Sequence, residues 1–245
     1  MSELGRHILQ HRRVEDASGQ VYELNAETGL SQCQFIADLL RAAQARRYLE
    51  IGLAYGLSAL FAAEVLAQQP EARLIAIDPF QRQWYRGVAL TNLEREGRSH
   101  FVEFHEDYSF NVLPQLLQRG ETLDAAYIDS TKVFDYLLVD AFYLSRLLRV
   151  GGLLILDDCS LPSIQRLARY LARWPHLRVH STHGEYRTGI ARRLAAHAAA
   201  LIPKAARLFA DDVVTPSDRL GTQANCVVFE KVAEDARPYN WSAPL

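Results

Sequence analysis

The chain has 245 residues, enough for one well-buried core, and its 27 basic and 29 acidic residues leave a net charge of −2. No basic run argues for nucleic acid and no apolar run reaches the roughly 18 residues of a membrane span, so a small-molecule substrate is the expected partner. Three cysteines, Cys33, Cys159 and Cys226, are odd in number and far apart, without metal spacing, which suits a reducing cytoplasm better than a disulfide framework.

The stretch Met1–Asp16 lacks the apolar centre of a secretory leader, and the expectation is a soluble cytoplasmic protein. The run Ser31-Gln32-Cys33-Gln34 reads as a capping box opening a helix whose apolar Phe35, Ile36, Leu39, Leu40 and Ala43 recur at helical spacing. A strand over Arg47–Ile51, a helix over Leu57–Gln69 stopped by Pro70, and a strand over Leu74–Asp78 make one βαβ unit. A polar helix near Gln83–Glu96, a strand at Phe101–His105, a helix around Phe110–Gln118 and a strand at Leu123–Asp129 continue the alternation. The longest helical pattern, Val133–Arg149, meets Gly151-Gly152, which reads as a helix stop. A strand over Leu153–Asp157, a helix near Pro162–Trp174, a strand at Leu177–Ser181 and a last strand at Cys226–Phe229 follow. Alternation of this kind predicts an α/β protein with a parallel sheet and helices on both faces. The Ala-rich, basic segment Ile190–Ala210 predicts a helix as far as Pro203, read first as a solvated surface helix, with a lid or a homodimer contact as the alternative.

Two features carry chemistry. The first is Glu50-Ile51-Gly52-Leu53-Ala54-Tyr55-Gly56, a strand end, an acid and a glycine turn feeding a helix, with Asp78 at the end of the next strand, 26 positions beyond Gly52. An acid at that distance is placed to hold ribose hydroxyls. The loop lacks the middle glycine of the dinucleotide fingerprint, since Ala54 stands there, and Glu50 would repel phosphates. An ordinary strand–turn–helix junction is the plain alternative. The second feature is the set of acids at strand ends in the second half: Asp129, then Asp157 and Asp158, with 28 positions between Asp129 and Asp157. If the two strands are neighbours, the carboxylates converge, and a hard cation such as Mg²⁺ would relieve their repulsion. Lys132, three residues after Asp129, lies on the same rim.

The pattern E-x-G-x-x-x-G formed by Glu50, Gly52 and Gly56 resembles the S-adenosylmethionine loop of class I methyltransferases. The span Leu123–Asp158 is similar to the second half of metal-dependent catechol O-methyltransferase-type enzymes, matching at Asp129, Lys132 and Asp157, with Asp158 where that group has Asn. It is equally similar to the family of macrocin O-methyltransferase and its sugar-modifying relatives, where Asp158 fits, but Ser130 stands for Gly and Lys132 for His. The resemblance covers roughly Gly29–Ser160, and thinly Val227–Lys231.

The fold it implies is a doubly wound, Rossmann-like sheet of seven strands, mainly parallel, with the last strand antiparallel. Residues 29–245 would form a single methyltransferase domain after an N-terminal extension, 1–28, with a helical insertion about 190–220. The implied activity is methyl transfer from S-adenosylmethionine to a small-molecule hydroxyl, a phenol or a sugar, assisted by Mg²⁺ or another divalent cation. Transfer without metal, to oxygen or nitrogen, and a non-catalytic cofactor-binding relative are the competing readings. Carried over residue by residue, Glu50, Gly52 and Gly56 would line the methionine part of the cofactor, and Ser58 would bind its carboxylate. Asp78 would take the ribose and Ser109 would contact adenine. Asp129, Asp157 and Asp158 would hold the metal, and Lys132 would be the base.

Bland alternatives stand beside these roles. Lys132 could be a surface lysine paired with Asp129 or Asp135. Asp157 and Asp158 could be cap and loop acids, and Asp107 or Ser109 could cap the next helix. Trp84-Tyr85 could wall a pocket or be a core pair.

Overall fold

Residues 47–51, 73–77 and 123–128 alternate between two buried sets of side chains, and this period of two places a sheet at the centre with packing on both sides. Tyr48, Leu74, Ala76, Ala125, Tyr127 and Ile155 belong to one buried cluster, whereas Leu49, Ile75, Ile77, Ala126, Ile128 and Leu154 belong to the other. The computed structural model describes residues 2–25, 28–185 and 217–243. The predicted helix at 190–210 therefore lies outside the described residues.

In chain order, helix α1 (Glu3–His11) and the hairpin of β1 (Arg13–Glu15) and β2 (Val21–Glu23) precede α2 (Leu30–Ala42). Then come β3 (Arg47–Ile51), α3 (Leu57–Leu66), β4 (Arg73–Ile77), α4 (Gln81–Tyr85), α5 (Val88–Arg95) and β5 (Val102–His105). The second half holds α6 (Ser109–Gln118), β6 (Leu123–Ile128), α7 (Phe134–Leu147), β7 (Leu148–Leu156), α8 (Pro162–Leu171), β8 (Leu177–Glu185) and β9 (Ala224–Lys231). The main sheet has the order β5-β4-β3-β6-β7-β9-β8, and β9 pairs antiparallel with both its neighbours. The seven-stranded, mainly parallel, doubly wound sheet with an antiparallel last strand is what the sequence led us to expect. The order reverses between β3 and β6, so the crevice for a ligand opens beyond their carboxyl ends.

Three local expectations are corrected. The Ser31 capping box is absent: α2 starts from Gly29 without a side-chain cap, and the Ser31 hydroxyl instead meets His183 Nε2 at 2.7 Å. The predicted helix at Gln83–Glu96 is two helices, α4 and α5, because Arg86 and Gly87 both turn left-handed (φ 55° and 70°). Gly151-Gly152 do not stop α7. The chain passes directly from Leu147 into β7, and the two glycines sit in the strand, where the β6–β7 register shifts. Residues 1–28 carry α1 and the β1–β2 hairpin, and Ile8, Val14 and Leu24 enter the same buried cluster as α3.

Candidate active site

The loop after β3 is held from behind by buried polar side chains. Asp78, at the end of β4, accepts the Leu53 and Ala54 amides on Oδ2, both at 3.0 Å, and the Phe80 amide on Oδ1 at 2.9 Å. Gln81 donates from Nε2 to the Ala54 carbonyl at 2.8 Å. These bonds hold Ala54 at φ 45°, a conformation a non-glycine residue adopts only when its surroundings impose it. Gly52 (φ 93°) is required for a different reason: a Cβ there would lie 1.9 Å from the Asp129 carbonyl oxygen. At Gly56 (φ 78°) a Cβ would lie 2.8 Å from the Ala89 Cβ on α5. Gly56 opens α3, and no side chain caps that end, so its first amides are free to meet an anion.

Glu50 is fully buried and does not line the cleft. Its Oε1 accepts the Ser58 hydroxyl at 2.5 Å and its Oε2 the Tyr48 hydroxyl at 3.1 Å. Burial pushes the carboxyl up to about 8, against the lowering effect of those two hydroxyls. The expectation that Glu50 contacts a ligand is thus corrected: it braces Ser58, which does line the cleft.

Two adjoining cavities of about 320 Å³ each share Gly52, Ala54, Tyr85, Asp129 and Ser130 as their common wall. One continues along Gly56, Leu57 and Ser58 to Lys132, Asp157 and Asp158. The other is bounded by Asp78, Phe80, Trp84, Tyr108, Ser109 and Tyr136. Trp84 stacks on Phe80 with centroids 3.8 Å apart, so Trp84 and Tyr85 are cavity walls and not a core pair. Asp107 serves locally, accepting the Tyr108 amide and the Asn111 side chain, which leaves Ser109 on the cavity wall.

The three acids do converge, but not as equals. Asp129 follows β6 and Asp157 follows β7, and both touch the Tyr127 hydroxyl, at 3.5 Å and 2.6 Å. Asp157 also accepts the Asp158 amide at 2.6 Å and Asn225 Nδ2 at 3.3 Å, so both its oxygens are engaged. Asp158, at φ 52°, turns its carboxylate to Lys132 Nζ at 2.7 Å, and Asp129 meets the same ammonium at 3.2 Å. Burial, with Asp157 and then Asp158 nearby, raises the Asp129 carboxyl, although Lys132 opposes the shift. Burial works to lower the Lys132 pKa, but Asp129 and Asp158 outweigh it and hold the ammonium above its ordinary range.

Among the described residues, no three His, Cys, Asp or Glu side chains are arranged to hold a metal, with Lys132 standing between Asp129 and Asp158. The donors are right in kind, being hard carboxylate oxygens. Asp129 and Asp158 fit, since both face one cationic position, which Lys132 spans. Asp157 is the most engaged of the three, with two bonds on Oδ1 and the Tyr127 hydroxyl on Oδ2.

A family model described as a methyltransferase domain matches residues 49–159, the span that contains both the loop and the acids. The flavonoid 3',5'-methyltransferase of Vitis vinifera is 32% identical over 127 residues, 51% of this chain and 52% of that protein. The caffeoyl-CoA O-methyltransferase of Petroselinum crispum is 30% identical over 63% of this chain and 67% of its own length. The chain belongs to the class I S-adenosylmethionine-dependent O-methyltransferase family. It spans about half the length of most of the plant relatives it matches. The O-methyltransferase TomG of Streptomyces achromogenes, involved in tomaymycin synthesis and solved with S-adenosylmethionine, is 25% identical with a TM-score of 0.56, covering 65% of this chain and 75% of that one.

Within this family member, Gly52, Gly56, Ser58, Asp78, Ser109, Asp129, Lys132, Asp157 and Asp158 all line the two-lobed cleft, and Glu50 stands behind it. Sequence reasoning missed Tyr127, Gln32, Gln81 and Asn225. Tyr127 alone had a signal: it lies two residues before Asp129 on a strand, hence on the same face. Cys159, next to the acids, is buried and its thiol is pushed up by burial, so it is not a reactive group. No helix among the described residues is long and apolar enough to cross a membrane.

Proposed function

We propose that the protein transfers the methyl group of S-adenosylmethionine to a hydroxyl oxygen of a small molecule. The observation that carries this reading is the rim of Lys132, Asp129 and Asp158 at one end of a two-lobed cleft whose other end is aromatic. The cofactor brings an electrophilic methyl group on a sulfonium. The α3 amides, that of Ser58 among them, would meet the carboxylate of its methionine part, since the Ser58 hydroxyl gives its proton to Glu50. Asp78 Oδ1 carries a single amide, so it retains acceptor capacity for a ribose hydroxyl. Ser109, Trp84 and Tyr108 are the walls for adenine, with aromatic faces suited to stacking.

At the other end Lys132, fixed by Asp129 and Asp158, would take the acceptor's proton only after losing its own. Since those two carboxylates hold it as an ammonium, that loss requires the positive charge of the bound sulfonium or of a cation beside it. Most of the acceleration then comes from holding the oxygen in line with the methyl group. Asp129 and Asp158 are the carboxylates that would hold a divalent cation, which would supply Lewis acidity toward the acceptor oxygen. One observation favours a second reading without metal: the Lys132 ammonium already pairs with both carboxylates. Residues 29–245 are the transferase unit on this reading, with 1–28 an extension packed on it. The plant relatives' names direct the first screen to phenolic acceptors.

The test is methyl transfer from labelled S-adenosylmethionine across phenols and sugars, with chelator and after addition of Mg²⁺. Loss on chelation and recovery with Mg²⁺ supports the cation, while full activity in chelator supports the second reading. Lys132→Ala should lower kcat by roughly 10²–10⁴-fold with S-adenosylhomocysteine affinity near wild type. A variant within about threefold of wild-type kcat would remove Lys132 from the chemistry.

A further inference from the structure

Tyr127, the penultimate residue of β6, is fully buried, so its hydroxyl needs partners where water does not reach. It has them on both sides. Gln32, at the start of α2, donates to it from Nε2 at 3.1 Å, and it donates to Asp157 at 2.6 Å. Asp157 in turn accepts the amide of Asp158 at 2.6 Å. That last bond spans the turn in which Asp158 takes its left-handed backbone and meets Lys132. Asn225 holds Asp157 Oδ1 at 3.3 Å, and the shorter tie of Oδ2 to Tyr127 fixes the plane of the carboxylate and keeps that oxygen from turning toward Lys132.

We propose that Tyr127, steadied by Gln32, is a positioning residue that separates the roles of the paired acids: it holds Asp157 back as the brace of the turn, so that Asp158 stands with Asp129 at the reactive rim. The inference rests on the proposed methyl transfer for its kinetic consequence, whereas its structural consequence is independent of any activity. Ligand-supporting bonds of this kind typically change activity by about ten- to a hundredfold when removed, without touching substrate.

Tyr127→Phe preserves the ring and removes only the hydroxyl. A crystal structure of this variant should show Asp157 Oδ2 released, the carboxylate turned about its remaining Oδ1 bonds, and the Asp158–Lys132 contact broken. Persistence of that contact with Asp158 still left-handed would overturn the proposal, whatever the enzyme does. In kinetics, kcat should fall about tenfold or more while the KM for S-adenosylmethionine stays within about twofold. An unchanged kcat, or an equal loss in cofactor affinity, would also overturn it. Asp158→Asn supplies the coupling test: the double variant should lose little beyond either single one, because both act through one contact, and additive losses would refute that. Gln32→Ala, half-buried and less demanding on the fold, should reproduce part of the kcat loss. If the wild-type protein transfers no methyl group at all, the proposed function fails and the crystallographic arm alone decides the role of Tyr127.

Discussion

Glu50 shows how a residue's chemistry is set by its depth. In sequence it is a carboxylate beside a binding loop; in the fold it lies wholly beneath the loop, shared between Ser58 and Tyr48. Its carboxyl is raised by burial to about 8, so the folded protein holds a proton there that the unfolded chain, with an ordinary value of 4.5, releases. The folded state then binds more protons between these two values. Its contribution to stability is full below the unfolded value and is lost as pH rises through the folded one, by up to about 1.4 kcal/mol per pH unit. Urea unfolding between pH 5 and 8 should therefore show wild-type stability declining more steeply than that of Glu50→Gln, which keeps the shape but cannot ionise. Parallel profiles would show that Glu50 is not protonated in the native protein. The same contrast of depth separates Asp157 from Asp158: neighbours in sequence, one buried and braced, the other on the rim.

At the scale of elements, the site exists because three strand ends meet. The Gly52 amide bonds the Ile77 carbonyl, the Asp129 amide bonds the Ile51 carbonyl, and the Asp157 amide bonds the Ile128 carbonyl, each at 2.9 to 3.0 Å. The parallel ladder thus extends past the strands and carries the loop and both acids in register. Gly52 is the point of closest approach. Gly52→Ala combines a left-handed backbone with a Cβ on top of the Asp129 carbonyl, and the two costs together amount to about 2–6 kcal/mol. Urea unfolding should show that loss, and calorimetry should show weakened S-adenosylhomocysteine binding in whatever folded protein remains. A Gly52→Ala protein with both properties near wild type would mean that the approach of β3 to β6 is not what the glycine serves. Fold and site were legible together in this stretch: an apolar run, a glycine turn and an acid at the next strand end are local signals, and the ladder turns them into one surface.

At the scale of the whole molecule, the chain's two ends pack onto the domain at places remote in sequence. The Ser2 hydroxyl both caps α1 and bonds Glu96, 94 residues away. Near the other end, Arg237 lies 3.9 Å over the Trp174 ring and 4.8 Å over Trp241, and grips Asp235 with two bonds of 2.7 and 2.8 Å. Asp235 also faces Arg146 at 3.2 Å, and the hydrogen bonds from Arg237 hold its carboxyl well below the usual range. This clamp sits by the end of β9, where Lys231 reaches the Leu148 carbonyl at the start of β7, opposite the cleft. Arg237→Ala should cost about 1–3 kcal/mol in urea unfolding and leave S-adenosylhomocysteine affinity unchanged. A loss of affinity without loss of stability would place the tail's role at the cleft instead.

The sequence by itself determined the alternation of strands and helices, the parallel sheet, and the strand-end positions of Gly52, Asp78, Asp129, Asp157 and Asp158, because periodicity and turn chemistry are local properties of the chain. Only the tertiary structure decided which of those groups face the ligand. Gln32 finds Tyr127 across 95 residues, Tyr127 finds Asp157 across 30, and Asn225 finds Asp157 across 68. Spacing along the chain says which face of an element a side chain occupies, but not which distant donor will meet it. Three acids of equal promise in sequence became one brace and two rim carboxylates for that reason.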